Sequence, residues 1–193
     1  MEHIKAITSR LKENMTNSTS SEIRKAAEKN TFRPADPIKG WMVKVGIPKV
    51  FRDVGVVEEW DDKLLLGPAG SGKSYEAAGM IKSRYGKRGT AIWVNVPRML
   101  FNLRRNFENE VVDRILRKDY VVLDDLGAEH TTDWVTETVY IIVNNIWENQ
   151  KRLIVTSNLD VSEIGERFGD RLSSRILDIC KPKGMDKIDR RLN

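Results

Sequence analysis

A chain of 193 residues can bury one domain core and carry a small appendage. Its single cysteine, Cys180, excludes an internal disulfide, and two histidines, His3 and His130, are too few for the usual structural zinc sites. A net charge of +5 suits a nucleic-acid partner without requiring one, while the lack of a bilayer-length apolar run or a leader-like start points to a cytoplasmic protein with no membrane contact.

Residues 1–30 are polar and charged. Ile4, Ile7, Leu11 and Met15 form a thin helical stripe, Asn17–Ser21 breaks it, and Ser21 opens a second short helix. Stripes this thin bury little area, so these helices either dock on a partner or form a partly ordered tail. Pro34, Pro37 and Pro48 mark residues 31–48 as a linker or an extended entry to the next domain. From about residue 46 strands alternate with helices. The predicted strands are Lys63–Leu66, Ala91–Val96, Tyr120–Asp124 and Arg152–Thr156, with a weaker fifth near Ile176–Cys180. Helices are predicted near 73–85, 98–118 and 133–149, the second from the stripe Leu100, Leu103, Phe107, Val111 and Ile115. The strands are nearly unbroken apolar runs, as in a parallel sheet buried on both faces, so the fold class is α/β with helices flanking a parallel sheet.

The most informative segment joins the first strand to the first helix of this domain. Residues 67–74 read Gly-Pro-Ala-Gly-Ser-Gly-Lys-Ser, the Gly-x-x-x-x-Gly-Lys-Ser pattern of a phosphate-binding loop in its strand–loop–helix context. Glycines let backbone N–H groups curl around a polyphosphate, and the helix that follows turns its positive end to the same anion. The predicted nucleotide-binding set is therefore Gly67, Pro68, Ala69, Gly70, Ser71, Gly72, Lys73, Ser74 and the adjoining Tyr75. Lys73 is placed to reach the outer phosphates of ATP or ADP, and the Ser74 hydroxyl to ligate Mg2+.

Three further strings carry chemistry. Tyr120-Val121-Val122-Leu123-Asp124-Asp125 is an apolar strand ending in two carboxylates, which a parallel sheet would turn toward the phosphate loop. Asp124 is the natural metal ligand, and Asp125 stands where a general base would polarise an attacking water. Arg152 to Asn158 is the next buried strand; Asn158 either contacts the terminal phosphate or its water, or caps the following helix. Gly169 to Ile176 sets Arg171 and Arg175 on one helical face, either as surface arginines or as groups completing a neighbouring subunit's site.

Taken in order, these motifs resemble the AAA+ ATPases, and more narrowly the bacterial replicative helicase loaders and their transposition relatives, the DnaC/DnaI/IstB-like group. The resemblance covers roughly residues 46–180. It rests on Gly46-Ile47-Pro48-Lys49-Val50-Phe51, the phosphate loop, Leu123-Asp124-Asp125-Leu126-Gly127-Ala128-Glu129, Val155-Thr156-Ser157-Asn158-Leu159, and Arg171 to Ile176. It implies a P-loop AAA+ core at 46–193 with a reduced or absent C-terminal lid, and a helical partner-binding extension and linker at 1–45. It implies ATP with Mg2+ held by Ser74 and Asp124, catalysis by Asp125, a γ-phosphate sensor in Asn158, and a trans-acting arginine in Arg175, with Arg171 second. The implied partners are a hexameric DnaB-type replicative helicase held by residues 1–45, single-stranded DNA, and further copies of the chain joined through the ATP site. Arg98, Arg104 and Arg105, off the apolar stripe of the helix after the second strand, would line the DNA path or form a solvated basic face.

The chain departs from the family pattern in places. The stretch from Gly46 to Gly67 is short, Ile146 stands before Trp147 where relatives often carry arginine, and eighteen residues follow Arg175, too few for the usual lid. Arg190 in the tail is offset from the family's sensor arginine. Asp125 is one methylene shorter than the glutamate of many relatives, which predicts slow hydrolysis without DNA or partner. The competing readings are an IstB-like transposition helper, with the same ATP site, and a P-loop small-molecule kinase, which would act as a monomer.

Overall fold

A computed structural model describes residues 37–56, 60–106 and 110–185. The N-terminal helices predicted within residues 1–30, and Arg190, lie outside the described residues. The chain divides into two compact units between Pro37 and Ile38.

The second unit is built on five parallel strands: β1 (Lys63–Leu66), β2 (Ala91–Asn95), β3 (Tyr120–Leu126), β4 (Arg152–Ser157) and β5 (Lys181–Gly184), in the order β2-β3-β4-β1-β5. The helices are α1 (Pro37–Val45), α2 (Lys73–Lys82), α3 (Val96–Asn106), α4 (Glu110–Leu116), α5 (Asp133–Glu148), α6 (Val161–Phe168) and α7 (Asp170–Ile179), with a 3-10 turn at Lys49–Phe51. Successive strand residues point to opposite faces, and two core clusters follow. Leu64, Val121, Leu123, Leu153 and Val155 pack with residues of α3 to α7; Leu65, Val122, Ile154 and Trp93 pack with Ala77, Ala78, Met80 and Ile81 of α2. The architecture is thus three-layered, and no described helix is long and apolar enough to cross a membrane.

Three details differ from the sequence reading. Residues 37–45, expected as linker, form a helix whose Met42 and Val45 are buried in the α2-side core, ending where Gly46, at φ +93°, lets its N–H and that of Ile47 reach the Met42 carbonyl. The expected single helix at 98–118 is two. Val96, Met99, Leu100 and Leu103 define the buried face of α3, and Val111, Val112, Ile115 and Leu116 that of α4. On one continuous helix those faces would lie roughly 140° apart, so the chain must re-aim to bury both. Phe107 lies outside the described residues. Finally, Ile176–Ile179 is the last turn of α7, not a strand. Leu172 and Ile176 are its buried i, i+4 pair, and the fifth strand begins at Lys181, an exposed Lys-Pro-Lys-Gly edge paired, among the described residues, only with β1. An edge strand tolerates Pro182 and needs no apolar run, so it left no pattern to read.

Candidate nucleotide-binding site

The phosphate loop leaves β1 at Leu66 and enters α2 at Lys73. Gly70 and Gly72 sit at φ +84° and +95°, the left-handed region where a side chain is strained, and Gly72 supplies no side-chain cap to α2. The first-turn amides of α2 are thereby left for an anion. The Lys73 ammonium folds back over its own loop, donating to the carbonyls of Gly67 (2.6 Å) and Pro68 (2.8 Å) and to Asn158 Oδ1 (2.9 Å). That last bond ties the end of β4 to the loop. The alternative role for Asn158 as a helix cap does not hold: Asp160 caps α6, in a reciprocal box with Glu163.

Asp124 is 3% exposed, and its Oδ1 accepts the hydroxyls of Ser74 (2.7 Å) and Thr156 (2.8 Å). Burial holds its carboxyl above the ordinary range, Asp125 next door adds to this, and the two hydroxyl donors oppose it. A carboxylate desolvated in this way and set against a serine hydroxyl offers the hard oxygens that Mg2+ takes alongside phosphate and water, so the donor set fits that ion.

Asp125 takes φ +61°, uncommon for a residue with a side chain, at the point where the β3–β4 register shifts between Leu123 and Leu126. Its N–H donates to Thr156 Oγ1 (2.9 Å), and its Oδ2 accepts Asn95 Nδ2 (3.1 Å). The kink turns the carboxylate out of the strand into a cleft of about 800 Å3 shared with Lys73, Ser74, Tyr75 and Asn158. Val50 and Phe51 form another wall, and their turn is tied to α2 where the buried Lys82 donates to the Arg52 and Val54 carbonyls. A second groove, of about 830 Å3 between α3–α4 and α5, shares no lining residue with this cleft.

Sequence reasoning missed three contributors. Asn95 holds Asp125 with its amide nitrogen, and its Oδ1 accepts the Arg98 N–H (3.2 Å) in the first turn of α3; the clue was a polar residue closing an apolar strand. Thr156 bridges both aspartates through one hydroxyl. Arg167 of α6 donates to Thr131 Oγ1 (2.6 Å) and to the Glu129 carbonyl, pinning the loop after β3 from far along the chain. Burial also holds the Glu129 carboxyl above the ordinary range.

The remaining candidates lie elsewhere. Arg98, Arg104 and Arg105 are exposed on α3; Arg104 lies 5.1 Å from the Trp134 ring centre and Arg105 5.5 Å from that of Phe101. Arg171 and Arg175 are on α7, and among the described residues neither lines the cleft of its own chain.

The phosphate loop, the strand-end carboxylates and the polar end of β4 therefore converge on one cleft. The chain matches the family model of IstB-like ATP-binding proteins over residues 10–181. It belongs to that family. This family member is similar to two curated proteins of Bacillus subtilis (strain 168). It is 27% identical to the uncharacterized protein YqaM over 125 residues, 61% of this chain and 40% of the relative. It is 25% identical to the replicative helicase loader DnaI over 144 residues, 66% of this chain and 46% of the relative. The matches thus span less than half of those proteins' lengths. Among solved structures, the DnaC helicase loader aligns with TM-score 0.59 at 24% identity, over 67% of this chain and 80% of the other. The replication initiator DnaA bound to AMPPCP and single-stranded DNA aligns with TM-score 0.56 at 17% identity, over 72% and 44%. At such identities the structures bear on the fold, which is the AAA+ P-loop fold, and the family membership makes the chain an ATP-binding protein.

Proposed function

We propose that the chain is an ATP-driven loader of a hexameric replicative DNA helicase, assembling through ATP bound between its copies and contacting single-stranded DNA. The observation that carries this reading is the tie from Lys73 to Asn158 beside the Ser74–Asp124 pair and Asp125; the similarity to DnaI supplies the partner class. In this reading the loop amides and α2 hold the phosphates, and Lys73 exchanges the Gly67 and Pro68 carbonyls for β- and γ-phosphate oxygens. Asn158 then contacts the γ-phosphate. Ser74 and Asp124 would hold Mg2+, which when bound neutralises phosphate charge. Water attacks the γ-phosphorus, its bond to the bridging oxygen breaks, ADP leaves with that oxygen, and Asp125 accepts the water's proton. Arg175, with Arg171 second, reaches this centre from a neighbouring copy. Residues 1–45 would hold the helicase, with Pro37–Val45 the part packed on the ATPase core, and Arg98, Arg104 and Arg105 would meet DNA phosphates.

ATP binding and phosphate release by purified variants test the chemistry. Lys73→Ala should lose ATP binding. Asp125→Asn should keep it while turnover falls about 100-fold or more, and normal turnover would remove Asp125 from the mechanism. The second reading, a transposition helper, draws on the family model itself and shares the ATP site. Its partner would be a transposase.

A further inference from the structure

The Arg175 guanidinium carbon lies 3.6 Å from the centre of the Trp147 ring, the shortest of the four arginine–aromatic contacts among the described residues. At that distance an edge-on guanidinium would drive its nitrogens into the ring, so the group lies flat on the indole. Its five N–H donors then point sideways, in the plane. One of them, on Nη1, meets Asp178 Oδ2 at 3.5 Å, the limit of a hydrogen bond, and the Arg175 side chain keeps 31% of its exposure. The indole thus shields the flat face while the edge that grips phosphate oxygens bidentately stays accessible. Trp147 comes from the last turn of α5 and Asp178 from α7, so two packed helices fix the guanidinium plane. Arg171, on the same helix, is exposed, and no hydrogen bond, ion pair or ring contact holds it among the described residues.

We propose that Trp147 and Asp178 form a platform presenting Arg175 to the triphosphate of a second copy of this chain, with Trp147 as a positioning residue. This rests on the reading of Arg175 as acting in trans. Arg175 is not among the residues lining its own cleft, which is what a role toward another copy's triphosphate requires. The platform selects Arg175 over Arg171: a pre-oriented fork loses less freedom on gripping a phosphoryl group than a freely rotating one.

The test is ATP hydrolysis and ATP affinity for full-length variants. Arg175→Ala should cut turnover about 1000-fold with affinity nearly kept, a larger loss than Arg171→Ala causes. Trp147→Ala should lower kcat about tenfold with KM unchanged, Trp147→Phe should restore most of it, and adding Trp147→Ala to Arg175→Ala should cost nothing more. Mixing separates the platform from a structural role. Lys73→Ala copies, which carry an intact Arg175, should restore hydrolysis to Arg175→Ala copies. Lys73→Ala/Trp147→Ala copies should restore about tenfold less. If Arg175→Ala hydrolyses ATP normally, the trans reading fails and the platform with it. If Arg175→Ala is inactive but Trp147→Ala donates as well as the parent, or lowers ATP affinity in its own site, the platform alone is overturned.

Discussion

In the proposed role of Mg2+ ligand, Asp124 carries two demands that conflict. Holding a cation requires the charged form, while burial at 3% exposure raises the cost of that charge. Its folded carboxyl therefore binds a proton more tightly than the unfolded one, whose ordinary value is 3.8, so this group's contribution to stability falls as pH climbs from about that value through the raised one. Asp124→Asn keeps an acceptor for Ser74 and Thr156 and removes the charge. In thermal melts without nucleotide the variant should gain on the parent as pH rises from 4 to 7. It should also lose the stabilisation that Mg2+-ATP gives the parent. A stability difference that stays constant, or moves in the parent's favour, over that pH range would contradict this reading of the carboxylate. Asn95 poses a different question, since its amide occupies Asp125 Oδ2. Asn95→Ala should raise ATP turnover in the absence of DNA and partner; brisk turnover by the unaltered chain alone would show that the bond imposes no restraint.

Elements place these side chains through a few non-repeating backbone features. At Gly127, φ +89°, an added Cβ would fall 2.5 Å from Leu159 Cδ1, so the loop after β3 packs directly on the end of β4. Ser157 reinforces that contact, donating to the Leu126 carbonyl (2.6 Å) and accepting the Leu159 N–H (3.1 Å). Gly127→Ala should destabilise the chain by about 2 kcal/mol in denaturant melts and displace Asp125 and Asn158 together, lowering turnover more than ATP affinity. A neutral effect would mean the loop yields without moving the site. The sequence made the central elements legible because buried parallel strands leave apolar runs and the phosphate loop leaves its glycines. It hid α1 behind three prolines, and it hid β5 because a solvated edge strand has no pattern to show. The break between α3 and α4 was present as a jump in helical phase, but a stripe followed one residue at a time passes over it. Asn95 and Arg167 went unseen for another reason: each acts through a hydrogen bond across the fold, and a lone polar residue at a strand or helix end carries no local mark of its partner.

At the scale of the whole molecule, the basic face of α3 and the cleft are joined by Asn95, which touches Asp125 and the first turn of that helix. Replacing Arg98, Arg104 and Arg105 together by glutamine should weaken binding of single-stranded DNA with little dependence on sequence. It should also flatten the slope of log affinity against log salt by about 2. An unchanged slope would leave these arginines as a solvated face. The partner is the wider question, because the chain spans less than half of the curated relatives it resembles. The deciding measurement is affinity capture of the tagged full chain from its native lysate with ATP and Mg2+, partners identified by mass spectrometry, alongside a form lacking residues 1–36, which leaves Met42 and Val45 in the core. The loader account predicts recovery of a hexameric replicative helicase that disappears with the deletion. Recovery of a transposase, or of the same helicase without those residues, would contradict it.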